Sequence, residues 1–290
     1  MDQLRVDSWC RIISLPRLRI LETDQWPPTV FPPGLPVFFP SLQRITLLGI
    51  NASTWVEFLA DERVQRIFTD AGSQPRRVAP HLTELYCDYE ADLYATSISY
   101  FRVFRNLSIL TLRTGCFGIT RCRFRLTDDD ISRLAIELPG LKELSFGTPC
   151  TRNTCWTTVI SLLVLSTHCK GLHKLRIHFN TQNLARDVWQ SLRHPLRRNS
   201  HPPSRCPLVA LEVGLTPLTA EALGRDLFPT LAGLVDIFPR LQRISYTSSR
   251  ASRGWKQLDA QIPSFQEMRR SLPVVFAQHA CGNDQPPPLP

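Results

Sequence analysis

One phrase recurs eight times along the 290-residue chain and limits what it can fold into. Its form is an apolar residue, a turn-like pair that often includes proline, leucine, two spacers, an apolar residue, a spacer and another apolar residue. Copies start at Leu15, Phe39, Ala79, Phe104, Leu138, Cys169, Cys206 and Phe238, the seventh being one residue short at its start. The leading leucines are Leu18, Leu42, Leu82, Leu107, Leu141, Leu172, Leu208 and Leu241, spaced by 24 to 40 residues. Leu-x-x-Leu-x-Leu predicts a turn into a short strand with alternate side chains pointing inward. Proline just ahead of it ends a preceding helix, because the residue before proline is pushed out of helical geometry. A single unit of this kind cannot bury its apolar face, whereas stacked units share one continuous core.

The stretches between phrases must return the chain, and several carry helical periodicity. Thr127 followed by Asp128, Asp129 and Asp130 combines an N-cap with acids in the first turn. Ile131, Leu134, Ala135 and Leu138 then form an i, i+3, i+4, i+7 stripe. The three acids read as a helix start rather than as a metal or catalytic cluster. Ser53 to Phe68 has a similar stripe, Trp156 to Ser166 reads as a buried helix, and Thr219 to Val235 as a helix interrupted near Pro229. The expected fold is α/β: a right-handed solenoid with parallel strands on a concave face, helices on the convex face and irregular repeat length. Residues 1–249 would form the solenoid, with a Pro-rich loop at 25–40 and a basic loop at 195–205. Residues 250–275 would form a capping segment, helical near Ile262 to Arg270, and 276–290 a disordered tail.

The phrases resemble leucine-rich repeats. Phe39-Pro40-Ser41-Leu42, Leu126 to Leu134, Leu138 to Leu144 and Leu172 to Phe179 are similar to the repeat region of fungal F-box proteins. The resemblance covers Leu15 to Tyr246. It implies the target-binding half of a cullin ubiquitin-ligase adaptor, a non-catalytic module that recognises another protein. No Leu-Pro-x-Glu-Ile-Leu opening precedes the phrases, so a Skp-type linker is implied as partner only with an F-box upstream. The first phrase follows the N-terminus closely, and the chain is expected to begin inside a solenoid.

Charge offers a second class of function. The net charge is +9 and the isoelectric point about 9.4, which suits a nucleic-acid partner if the cations cluster. Along the sequence they are dispersed, and the alternative, a basic nucleic-acid-associated scaffold, rests on residues 194–205 and 250–270. No apolar run approaches the roughly 20 residues of a membrane-spanning helix, and the N-terminus carries no apolar signal stretch. The expectation is a monomer of the cytoplasm or nucleus, without cofactor. Nine cysteines are present, none in a Cys-x-x-Cys pair, and they read as small buried apolar residues rather than metal ligands. No phosphate loop, dinucleotide fingerprint, Gly-x-Ser-x-Gly or His-Glu-x-x-His occurs, so no catalytic residue is expected.

Function is expected on the spacer residues, which alternation turns away from the core. Early spacers are acidic, while Lys174, Arg176 and His178 form a basic set. Glu84, Tyr86, Asp88, Arg113, Lys174, Arg176 and His178 are the candidate contacts. Tyr86, Arg113 and Arg176 are the expected anchors, since aromatic and arginine side chains dominate protein interfaces.

Overall fold

The computed structural model describes residues 11–12, 15–24, 41–49, 81–89, 98, 101, 104–114, 125–147, 156–181, 184, 206–214, 216–218, 223, 226–246 and 252–271. The Pro-rich segment at 25–40, the stripe at 53–68, the basic loop at 194–205 and the tail at 276–290 lie outside them. Among the described residues, the chain forms eight strands and four helices. The strands are β1 (Ile20–Thr23), β2 (Arg44–Leu47), β3 (Glu84–Tyr89), β4 (Ile109–Thr114), β5 (Glu143–Gly147), β6 (Lys174–Arg176), β7 (Ala210–Gly214) and β8 (Arg243–Tyr246). The helices are α1 (Asp128–Glu137), α2 (Val159–His168), α3 (Leu227–Ile237) and α4 (Arg253–Ser271).

Each phrase supplies one strand. All pair in parallel, in chain order from β1 to β8. The register aligns equivalent phrase positions: Leu21, Ile45, Leu85, Leu110, Leu144, Leu175, Leu211 and Ile244 form one continuous row. Every member of that row is buried, as are the leading leucines from Leu42 to Leu241. Leu18 at the first phrase is only partly buried. The strand order contains no reversal, so this sheet lacks the switch-point crevice in which doubly wound folds bind nucleotides.

Local chemistry explains the entry into each strand. The N–H of Leu18, Leu107, Leu141, Leu172 and Leu241 donates to the carbonyl three residues back, closing a tight turn at 2.9–3.3 Å. Pro16, Pro139 and Pro239 occupy the second turn position, where a fixed φ near −65° is already correct. The next two N–H groups then share one carbonyl of the preceding repeat. Lys142 and Glu143 both donate to the Ser108 oxygen (2.8 and 3.0 Å), and Ser108 and Ile109 to that of Thr83 (2.8 and 2.9 Å). Gly214, at φ 58°, sits where the β7–β8 register shifts, a left-handed geometry that glycine adopts without a Cβ penalty.

The helices complete the core on the covered side of the sheet. In α1 the stripe Ile131, Leu134, Ala135 and Leu138 is fully buried. The N-cap reading is met by a capping box, in which Asp130 N–H donates to Thr127 Oγ1 (3.3 Å) and Thr127 N–H to Asp130 Oδ2 (2.9 Å). Asp128 has a second role, on the neighbouring helix. Its carboxylate accepts from Thr158 N (2.8 Å), Thr158 Oγ1 (2.7 Å), Ser161 N (3.2 Å) and Ser161 Oγ (2.5 Å), closing the N-terminus of α2.

Three expectations about helices are corrected. Helix α2 begins at Val159, with Thr158 as its N-cap, and Trp156 before it is 61% exposed rather than buried. Pro229 does not interrupt α3. It occupies the first turn, where backbone N–H groups have no intrahelical partner to lose. Helix α4 starts at Arg253, well before Ile262, because Trp255, Leu258 and Ile262 continue one buried stripe through Pro263. It covers the edge of β8. Asp259 Oδ1 accepts from the Ile244 N–H (2.6 Å), and Gln266 Nε2 donates to the Pro239 and Leu241 carbonyls (3.2 and 3.1 Å).

Candidate functional site

The side of the sheet that no described helix covers carries two rows of spacers, offset by two residues. One runs Ile20, Arg44, Glu84, Ile109, Glu143, Lys174, Ala210, Arg243, and the other Glu22, Thr46, Tyr86, Thr111, Ser145, Arg176, Glu212, Ser245. These residues are half-buried or exposed. Strand spacing near 4.8 Å brings equivalent side chains into contact range.

The densest cluster sits on β2, β3 and β4. Arg44 Nε donates to Glu84 Oε2 at 2.5 Å, and Arg44 Cζ lies 5.8 Å from the centre of the Tyr86 ring. Tyr86 Oη donates to the same Glu84 oxygen at 3.4 Å. Glu84 therefore holds both neighbours in place, and its bond strengthens the hold of Arg44 on its proton. Burial, then the Glu84 charge, pushes the Tyr86 phenol above its ordinary value, so Tyr86 remains a hydrogen-bond donor at neutral pH. Beside this cluster is a hollow of about 220 Å³, bounded on its open side by Arg44, Thr46, Tyr86, Asp88, Thr111 and Arg113. Asp88 and Arg113 are opposite each other across β3 and β4, both exposed.

Four of the candidate contacts, Glu84, Tyr86, Asp88 and Arg113, are thus brought together. Lys174 and Arg176 lie two strands away on β6, and their basic character is largely neutralised. Lys174 Nζ is 3.2 Å from Glu143 Oε2, and Arg176 Nε is 3.3 Å from Glu212 Oε1. His178 is not on this face. Strand β6 ends at Arg176, and Ile177, His178 and Phe179 are buried in succession, which no alternating strand permits. The imidazole Nδ1 lies 2.7 Å from Thr216 Oγ1, and the Thr157 hydroxyl donates to the His178 carbonyl at 2.8 Å. Trp255 Nε1 of α4 donates to the Thr216 carbonyl at 2.8 Å, so this polar cluster ties α4 to the core.

Arg44, Thr46 and Thr111 belong to the hollow although sequence reasoning gave them no role beyond the face they share. Superposing the phrases by position would have paired Arg44 with Glu84, Glu143 with Lys174 and Arg176 with Glu212. The described cysteines, Cys87, Cys169 and Cys206, are buried and lie off this face. Burial pushes the thiols of Cys169 and Cys206 up to about 12 and about 11, and that of Cys87 higher still. Cys169 Sγ lies 3.8 Å from the Leu138 carbonyl oxygen and Cys206 Sγ 3.3 Å from that of Leu172, so both thiols act within the packing. Among the described residues, no three His, Cys, Asp or Glu side chains converge as metal ligands, and no helix is long and apolar enough to cross a membrane. No protein-family model matches the chain, and no curated protein matches it.

Proposed function

We propose that the protein is a recognition module without chemistry of its own, which grips another protein through the open face of its sheet. The observation that carries this is the cluster on β2–β4, where an aromatic ring is held rigid by Arg44 and Glu84 beside a side-chain-sized hollow. Rigid tyrosine and arginine next to a depression match the chemistry of interface hot spots. The row of leucines, one strand per phrase in chain order, supports reading the chain as a leucine-rich-repeat horseshoe resembling the target-binding half of an F-box adaptor. Helices are about 10 Å wide and strands about 4.8 Å apart. Where a repeat carries a helix beside its strand, as those of α1, α2 and α3 do, the wider helices splay outward and the array bends with its strands inside, making the open face concave.

A photo-crosslinking amino acid placed in the intact protein at Tyr86 or Thr111, with Ile136 on α1 as control, tests the reading. The expected result is one and the same cross-linked polypeptide from both sheet positions and none from Ile136. Equal products from Ile136, or none from the sheet, would remove the assignment. Binding of a purified Skp-type linker to the full-length gene product tests the adaptor part separately.

A further inference from the structure

The cations that look dispersed along the sequence are gathered by the topology. All eight strands are parallel, so every strand-entry turn lies on the same margin of the sheet. Arg17, Arg105 and Arg240 occupy those turns, joined by Lys170. Arg19 and Lys142 stand immediately before strands β1 and β5, and Arg243 opens β8. All of these side chains are exposed, and among the described residues none makes an ion pair or side-chain hydrogen bond.

Acids are scarce on that margin. Glu84 and Glu143 are the carboxylates at the strand starts among the described residues, and each is already neutralised, by Arg44 and by Lys174. Glu137 and Asp236 end the helices leading into two of the turns, and Asp236 is bound to Arg269. At the opposite margin, where the strands end, the described charged residues include Glu22 and Asp88 as well as Arg113. Among the described residues, positive charge is therefore gathered at the strand starts.

We infer that this basic margin docks an acidic, extended polypeptide segment of the partner, running across the strands. Eight strands at about 4.8 Å span roughly 34 Å, the length of about ten residues of extended chain at 3.3 Å each. Carboxylates spaced along such a segment can meet arginine and lysine in turn and bridge the two neutralised positions. A nucleic-acid strand fits less well. The described margin offers no Phe, Tyr or Trp for base stacking. Its neutral hydroxyls are already engaged, Ser41 to the Pro16 carbonyl, Thr83 to that of Gln43 and Ser108 to that of Thr83. The inference shares with the proposed function only the premise that the partner is a protein, since the margin adjoins the Tyr86 hollow at Arg44 but draws its free cations from other residues.

The test is fluorescence anisotropy on the intact protein at about 50 mM salt, where exposed charges interact over more than 10 Å. The probe is a labelled peptide of alternating Glu and Ser, about ten residues long, and the comparison is a duplex DNA of about 20 base pairs. The peptide should bind, and weaken as salt rises. The double variant Arg105→Glu with Lys142→Glu should weaken it by about tenfold or more. Arg253→Glu with Lys256→Glu, an equal charge change on α4, should shift it less than about twofold. If the first pair lowers the melting temperature, Arg17→Glu with Arg240→Glu provides the same reading from the two ends of the margin. Absent peptide binding, equal losses from both double variants, or tighter and margin-dependent binding of the duplex would each overturn the inference. Peptide binding that survives while crosslinking at Tyr86 fails would remove the open-face assignment and leave this one standing.

Discussion

The two sides of the same eight strands are built under different constraints. Along the covered row, from Leu21 to Ile244, every residue is leucine or isoleucine. Along the open row one position earlier, from Ile20 to Arg243, no two neighbours are alike. The covered row must fill a shared interior of fixed width, and only side chains of one volume stack in it without voids or overlap. The open row must avoid like charges across a strand pair, and it does so by sign alternation. Arg44 meets Glu84, Glu143 meets Lys174, and Ile109 and Ala210 separate the remainder. Packing thus repeats the same residue, while electrostatics forbids repetition.

The largest expected effect comes from the covered row. Leu144→Ala or Leu175→Ala should cost about 2–5 kcal/mol in denaturant unfolding, through lost burial and the cavity left behind. The helix layer comes next. Asp128→Ala leaves the donors of Thr158 and Ser161 without their carboxylate and should cost about 2 kcal/mol by the same measurement. Asp129→Ala, on the exposed side of the same turn, should change little. Smaller still is a pH effect. Burial raises the Cys169 and Cys206 thiols above their ordinary value of 9.0, to about 12 and about 11. The folded chain keeps protons that the unfolded chain releases, so this stability is complete below pH 9.0 and is lost as pH climbs toward 11–12. Urea midpoints at rising pH should fall more steeply for the native protein than for Cys169→Ala, by on the order of 1 kcal/mol per pH unit. The smallest effect belongs to the open row. Arg176→Ala removes a half-exposed ion pair with Glu212 and should cost less than about 0.5 kcal/mol. A loss as large as that of Leu175→Ala, its immediate neighbour, would erase the distinction between the two sides.

The covered row was legible because its cause is local and repeated: alternation within a phrase, and the same phrase eight times. The start of α1 was legible for the same reason, since Thr127 and Asp130 are three residues apart and satisfy each other. What could not be read depends on partners distant in the chain. Asp128 serves Thr158 and Ser161 across the gap to the next repeat. His178 follows Lys174 and Arg176 in period-two spacing, yet Thr157 and Thr216 draw it inward, and neither adjoins it in sequence. The site was half legible. Glu84, Tyr86, Asp88 and Arg113 follow from alternation, but the support Arg44 gives Tyr86 depends on the register of β2 against β3. The neutralisation of Lys174 and Arg176 likewise arises between strands, where a single phrase carries no information.

Helix α4 fixes a direction on the whole array. With Asp259 it takes the Ile244 N–H of β8, and with Gln266 the Pro239 and Leu241 carbonyls of the turn before that strand, so a further strand pairing on β8 would first have to displace α4.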